Sequence, residues 1–310
     1  MSTSLVVLGP TASGKSDVAM SVATDPGLVE HGPFEIVAVD AMQVYRRMDI
    51  GTAKPTADDR DRVPHHLLDL VDPDHEFAVA EFVDAATTAA AEIAARGNRA
   101  LLVGGTGLYL RALTDPMEIP GTWPVVRAAL EARLAHESVE ALHAELTALD
   151  PDAAAKMEPT NARRVVRARG VRRFGAAVQL VRAGPRPLPT GPVRAGGSAL
   201  APPGARAADR DLRPPDGRGR TGGRGRSLVE RFPGLSRTAR QALGYKEVIE
   251  HLEGLCSLDE AVATVVVRTR QFAVRQAVVP SHRAIRWLDI HDDPVAEAVP
   301  VIAATLMGTR

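Results

Sequence analysis

Cysteine is nearly missing from this chain. Cys256 stands alone, so no internal disulfide is possible, and the protein is expected in a reducing cytoplasm. Net charge is missing too. Lys and Arg together number 38, as do Asp and Glu, so no global field draws the chain toward nucleic acid and any basic surface must be local. No apolar run approaches the roughly 18 residues of a membrane span, so no membrane partner is expected. The first ten residues lack the basic start of a secretory leader. With 310 residues, 45% of them hydrophobic, the sequence is neither collagen-like, disulfide-stapled nor wholly disordered. It is long enough for one large domain or two smaller ones with cores.

What is present alternates. Ser4 to Leu8, Glu35 to Val39 and Ala100 to Val103 are short apolar runs that read as strands buried on both faces, and His66 to Val71 is a weaker one. Asp17 to Ala23 and the Ala-rich stretch Phe77 to Arg96 read as helices between them. This order predicts an α/β fold: a three-layer, P-loop NTPase-like parallel sheet. Val125 to Leu149 is helical throughout, Asp150-Pro151 breaks it, and a second helix starts near Asp152, which predicts an inserted helical domain. Ser257-Leu258-Asp259-Glu260 is a capping box opening a helix to about Val274, and Ala284 to Leu288 is a last strand. Between Gly175 and Ser227, 38 of 53 residues are Gly, Pro, Arg or Ala, with no periodicity, which predicts a disordered segment. The expected division is therefore a core of 1–117 plus 228–310, an insert of 118–174, and the segment 175–227.

Gly9-Pro10-Thr11-Ala12-Ser13-Gly14-Lys15-Ser16 matches the phosphate-loop pattern G-x-x-x-x-G-K-[ST] between a strand and a helix. Loop amides and the helix N-terminus would wrap a di- or triphosphate, Lys15 would neutralise its oxygens, and Ser16 would meet Mg²⁺. Asp40 ends the second strand, on the sheet edge where α/β ligands sit. Three roles are open to it: Mg²⁺ ligand, general base, or helix cap. Gly104-Gly105-Thr106-Gly107 follows another strand and permits close backbone approach to a ligand, with the Thr106 hydroxyl beside it. His65 and His66 fall on opposite sides of a strand and read as structural. Arg163, Arg164 and Arg167 form a local basic stripe, suited to RNA phosphates or to a solvated face.

Taken in order, these segments resemble the tRNA dimethylallyltransferases, the tRNA isopentenyltransferase family. The matching stretches are 9–16, Asp40 to Tyr45, Asp49 to Pro55, Val63 to Leu67, Gly104 to Tyr109, Asp150-Pro151, 161–167, Gly244 to Glu247 and Thr269 to Ala273. The resemblance implies transfer of a dimethylallyl group from dimethylallyl diphosphate to N6 of the adenosine 3′ of the anticodon, in tRNAs reading codons that begin with U. It implies Lys15, Asp40 and Thr106 as catalytic residues, Asp40 as the base, and Gly9 to Ser16 (Gly9, Pro10, Thr11, Ala12, Ser13, Gly14, Lys15 and Ser16) as the phosphate seat. Ser16 is then the metal ligand for Mg²⁺. It also implies contact of a tRNA anticodon stem-loop with Asp40, Ala41, Met42, Gln43, Thr106, Arg127, Arg163, Arg164, Val165, Val166 and Arg167, by a monomer. A small-molecule P-loop kinase and a catalytically impaired RNA-binding relative are the competing readings.

The family pattern breaks at 169–227 and at 277–282. Codons permitted for Gly175 to Ala183 include a set that, read one base on, gives the family-like Gly-Arg-Pro-Phe-Ser. Those for Val278 to Ser281 similarly give Trp-Phe-Arg-Arg. Both stretches are therefore read as out of frame.

Overall fold

The computed structural model describes residues 5–30, 32–49, 51–115, 123–173, 195–198, 234–277 and 285–308. It divides into two compact units, Met1–Thr114 with Leu188–Arg310, and Asp115–Pro187. The first holds the strands β1 (Leu5–Leu8), β2 (Phe34–Val39), β3 (His65–His66), β4 (Arg99–Gly104), β5 (Ala195–Ser198) and β6 (Ile285–Leu288). Its helices are α1 (Lys15–Thr24), α2 (Pro26–Val29), α3 (Ala57–Arg62), α4 (Val79–Ala95) and α5 (Gly107–Thr114), then α10 (Arg237–Arg240), α11 (Tyr245–Leu252), α12 (Leu258–Ala277) and α13 (Pro294–Leu306). The second holds α6 (Pro124–Arg133), α7 (Val139–Leu149), α8 (Pro151–Ala154) and α9 (Ala162–Arg173).

All six strands are parallel, in the order β3-β2-β4-β1-β5-β6. β1 and β2 are buried along their whole length, as central strands covered on both faces must be. Leu5, Val7, Ile36, Leu101 and Val103 alternate onto one face and pack with Val18 and Val22 of α1 and Ala298 and Ile302 of α13. α4 packs on the sheet through β2 and β4 and against α5, where Phe82 stacks on Tyr109 with ring centroids 4.2 Å apart. Leu8 and Val39 both pair with Gly104, so three strands end together at one edge. That edge carries the phosphate loop.

Four expectations change. The weak strand at 66–71 shrinks to β3, with Val71 reduced to an isolated bridge to Tyr45, because Leu67 and Asp69 take left-handed φ angles of 63° and 56° that a strand cannot hold. The helix at 125–149 is two helices: Ser138 caps α7 by accepting from the Ala141 amide, a restart that apolar spacing does not reveal. α9 runs on to Arg173, past the break read at Arg169. Within 175–227, residues 195–198 form β5 between β1 and β6. Gly196 and Gly197 have no side chains to show a strand period, and the backbone ladder makes the strand. The rest of that segment, and residues 278–282 of the second out-of-frame stretch, lie outside the described residues. α13 was not anticipated, although Asp293 caps it through the Val295 and Ala296 amides and Pro294 opens it.

His66 is structural, in a buried cluster centred on Glu35. Glu35 accepts from Arg96 at 3.0 and 2.8 Å, from Asn98 at 2.7 Å, and lies 2.6 Å from His66 Nε2. The Arg96 bonds above all hold its carboxyl down to about 2, against an ordinary value of 4.5. A depressed carboxyl stabilises the fold above the unfolded value and loses that contribution as pH falls through the folded one. Chemical denaturation is therefore expected to show stability declining from about pH 5 toward about pH 2, with Glu35→Gln flattening that decline and costing about 2 kcal/mol at neutral pH.

Candidate active site

The loop after β1 is an anion cradle in its backbone. Ser13 N–H donates to the Pro10 carbonyl at 3.3 Å. Ala12 and Gly14 both adopt left-handed φ, 64° and 74°. Such turns aim successive amides inward. Gly14 then opens α1 with no side-chain cap, which leaves first-turn amides for a ligand. A Cβ on Gly14 would also meet Pro294 of α13 at 2.5 Å. The Ser13 hydroxyl is buried and has no hydrogen-bond partner among the described residues. A buried orphan hydroxyl beside a nest of amides fits an acceptor-rich ligand. Ser13 and Lys15 line a small, mainly apolar cavity with Val7, Val18, Leu288 and Pro294.

Lys15 donates from Nζ to the Pro10 carbonyl at 3.2 Å. Burial lowers its pKa below the ordinary lysine value, and attraction to the Asp40 carboxylate works against that shift. The two groups sequence analysis nominated thus sense each other across the sheet edge. Asp40 also caps the following turn: Oδ1 accepts from Met42 N–H at 2.8 Å and Gln43 N–H at 3.3 Å. The cap fixes where the carboxylate points. Thr106 joins the same edge, its Oγ1 accepting from the Ala41 amide at 3.4 Å. Gly104 is required here, since a Cβ would stand 2.1 Å from the Val39 carbonyl oxygen. Tyr109 backs the site, its phenol pushed above the ordinary value chiefly by burial, with the Asp40 carboxylate adding to the shift.

Residues 40–49 and 51–55 prove to be a braced turn. Gln43 Nε2 donates to the Thr52 and Ala53 carbonyls at 2.9 and 3.1 Å. Buried Lys54 donates to the Tyr45 carbonyl at 2.6 Å and pairs with Asp49 and Asp69 at 2.8 and 2.6 Å. Gly244 to Glu247 is scaffold as well: buried Glu247 accepts from the Gly244 amide at 2.8 Å and pairs with Arg268. One residue at the site was missed. Gln276, on the last turn of α12, accepts from Thr11 N–H at 2.7 Å and donates to the Gly105 carbonyl at 3.1 Å. Only its place in the sequence, after Arg275, hinted at it.

In the second unit, Val126, Leu130, Leu142, Val165 and Val166 make a core. Val165 and Val166 are 0% and 4% exposed, so their side chains cannot touch RNA. Arg163, Arg164 and Arg167 are exposed on α9, as is Arg127 on α6. Arg127 pairs with Glu131 at 3.0 Å. Partial burial, then repulsion from Arg127, lowers the Arg167 pKa. A phosphate between these guanidiniums would relieve that repulsion. No described helix is long and apolar enough to cross a membrane.

A family model described as IPP transferase matches residues 43–185 and 225–278, passing over 186–224. The tRNA dimethylallyltransferase of Kineococcus radiotolerans is 41% identical, across 97% of this chain and 97% of that protein. That of Anaeromyxobacter dehalogenans is 42% identical, across 95% and 97%. Among solved structures, the tRNA isopentenylpyrophosphate transferase of Bacillus halodurans superposes with a TM-score of 0.60 at 32% identity, covering 99% of this chain and 96% of that one. A eukaryotic dimethylallyltransferase acting on tRNA has a TM-score of 0.66 at 21% identity, covering 100% and 81%, and shares the fold.

Proposed function

The chain belongs to the IPP transferase family, and from that premise we propose that it moves a dimethylallyl group from dimethylallyl diphosphate to N6 of the adenosine 3′ of a tRNA anticodon, in tRNAs reading codons that begin with U. The activity is tRNA prenylation, as in the relatives of the same length. The observation that carries the finer reading is the placing of an anion cradle and a carboxylate at one sheet edge: the phosphate loop leaves β1 and Asp40 leaves β2 where Leu8 and Val39 both pair with Gly104.

The chemistry divides between them. The allylic C–O bond breaks and its electron pair leaves with the diphosphate. Loop amides, the Ser13 hydroxyl and the Lys15 ammonium meet that growing negative charge. The N6 lone pair forms the new C–N bond, and the surplus N6 proton goes to the Asp40 carboxylate. Aromatic amines are weak nucleophiles, so timely proton removal helps. The adenine must leave the anticodon-loop stack to arrive there. The exposed arginines at 127, 163, 164 and 167 offer phosphate contacts for the stem-loop.

Among the described residues, no group of three His, Cys, Asp or Glu side chains could enclose a metal. Mg²⁺ needs no such cage: it takes one or two protein oxygens, substrate phosphate oxygens and water. Ser16 stands exposed on the first turn of α1, where it fits that donor set. When bound, Mg²⁺ would add charge neutralisation on the departing diphosphate. We assign the working unit as a cytoplasmic monomer.

Labelled dimethylallyl diphosphate and an unmodified anticodon stem-loop test the reading. Label is expected in the RNA. ATP turnover without labelled RNA would instead indicate a small-molecule kinase. RNA binding alone would indicate an impaired relative.

A further inference from the structure

Gln276 is tied to two turns that are remote from it in sequence. Its Oε1 accepts from Thr11 N–H at 2.7 Å and from Thr11 Oγ1 at 3.1 Å. Its Nε2 donates to the Gly105 carbonyl at 3.1 Å. Only this orientation of the amide works, because reversal would set NH₂ against N–H and oxygen against oxygen. The seat is shaped for it: a Cβ on Gly105 would lie 2.6 Å from Nε2 and 2.9 Å from the Gly9 carbonyl oxygen.

Thr11 directly precedes Ala12, whose left-handed φ of 64° is unfavourable for a residue with a Cβ. Such a conformation persists only where surroundings over-determine it. The Gln276 amide supplies part of that constraint by anchoring the Pro10–Thr11 peptide and the Thr11 hydroxyl, immediately before the turn at Ala12. We propose that Gln276 is a positioning residue that holds the phosphate loop in its anion-binding shape by tying Thr11 to the Gly105 turn. The inference rests on the reading of residues 9–16 as the diphosphate seat. An untied loop would have to be ordered by the incoming anion, and affinity would fall by the population lost. The effect falls on the diphosphate and spares RNA.

Calorimetric titration of inorganic diphosphate into the full chain tests this without requiring turnover. Binding of the anticodon stem-loop is measured alongside. Gln276→Ala is expected to weaken diphosphate binding about tenfold and leave stem-loop affinity within about twofold. Gln276→Glu keeps the shape and carries the test if the alanine variant fails to fold. As a carboxylate it sets oxygen against the Gly105 carbonyl and negative charge beside the anion. Protonated, it regains a donor. Its penalty relative to the parent chain should therefore be largest near about pH 8 and shrink toward about pH 5. A folded variant with unchanged diphosphate affinity would overturn the inference, as would a penalty independent of pH or equal losses for diphosphate and stem-loop. Failure of the parent chain to bind diphosphate overturns the inference too. A parent chain that binds diphosphate yet transfers no prenyl group sinks only the functional reading, and the variant ratios still decide the role of Gln276.

Discussion

Lys15→Ala is expected to lower kcat/KM for the diphosphate donor by about a hundredfold to a thousandfold, the range seen when one donor to a developing oxyanion is removed. The Lys15 ammonium is held at the cradle by the Pro10 carbonyl, 3.2 Å away, on a half-buried side chain that is only partly screened by water. Its loss therefore falls on the leaving group. Stem-loop affinity should be unchanged, since the exposed arginines of α6 and α9 belong to the other unit. Steady-state kinetics with the donor varied, beside stem-loop titration, separates the two. Unaltered donor kinetics would remove Lys15 from the chemistry.

Asp40→Asn separates two functions that share one side chain. Asparagine keeps an Oδ1 acceptor for the Met42 and Gln43 amides, so the turn after β2 survives. It cannot take a proton. Turnover should fall by about a hundredfold or more, with donor and stem-loop binding near those of the parent chain. Asp40→Ala loses the cap as well, which costs about 1 kcal/mol of stability. Near-parental turnover in the asparagine variant would leave Asp40 with capping alone.

Much of this site was legible before the fold was known. The phosphate loop declares itself because G-x-x-x-x-G-K-S between a strand and a helix is a chemical pattern as well as a structural one. Asp40 could be placed by its position at the end of β2. Apolar runs exposed the central strands because these are buried on both faces. Legibility failed where side chains carry no period or act across long separations. β5 contains two adjacent glycines, and its strand exists only in the ladder to its neighbours. Gln276 reaches Thr11 across 265 residues of sequence, which no local pattern reports. The family resemblance implied tRNA contacts for the whole run 163–167, yet Val165 and Val166 turn inward because a helix surface divides every few residues.

The family model passes over 186–224 but matches 169–185 and 225–278, so the family pattern is missing over 186–224 and not over the whole of 169–227 read as out of frame. A one-base shift in the coding DNA is proposed to restore the family pattern there and at 277–282. A nucleotide sequence that restores nothing in either alternative frame would refute it.

The most direct measurement takes the purified chain, dimethylallyl diphosphate and an unmodified anticodon stem-loop, and quantifies two products of one reaction. Released diphosphate and N6-dimethylallyladenosine, the latter located by digestion and mass spectrometry, should appear in equal amounts at the single position 3′ of the anticodon. Diphosphate released without a modified adenosine, or a modification placed elsewhere in the RNA, would contradict the joint roles of Lys15 and Asp40.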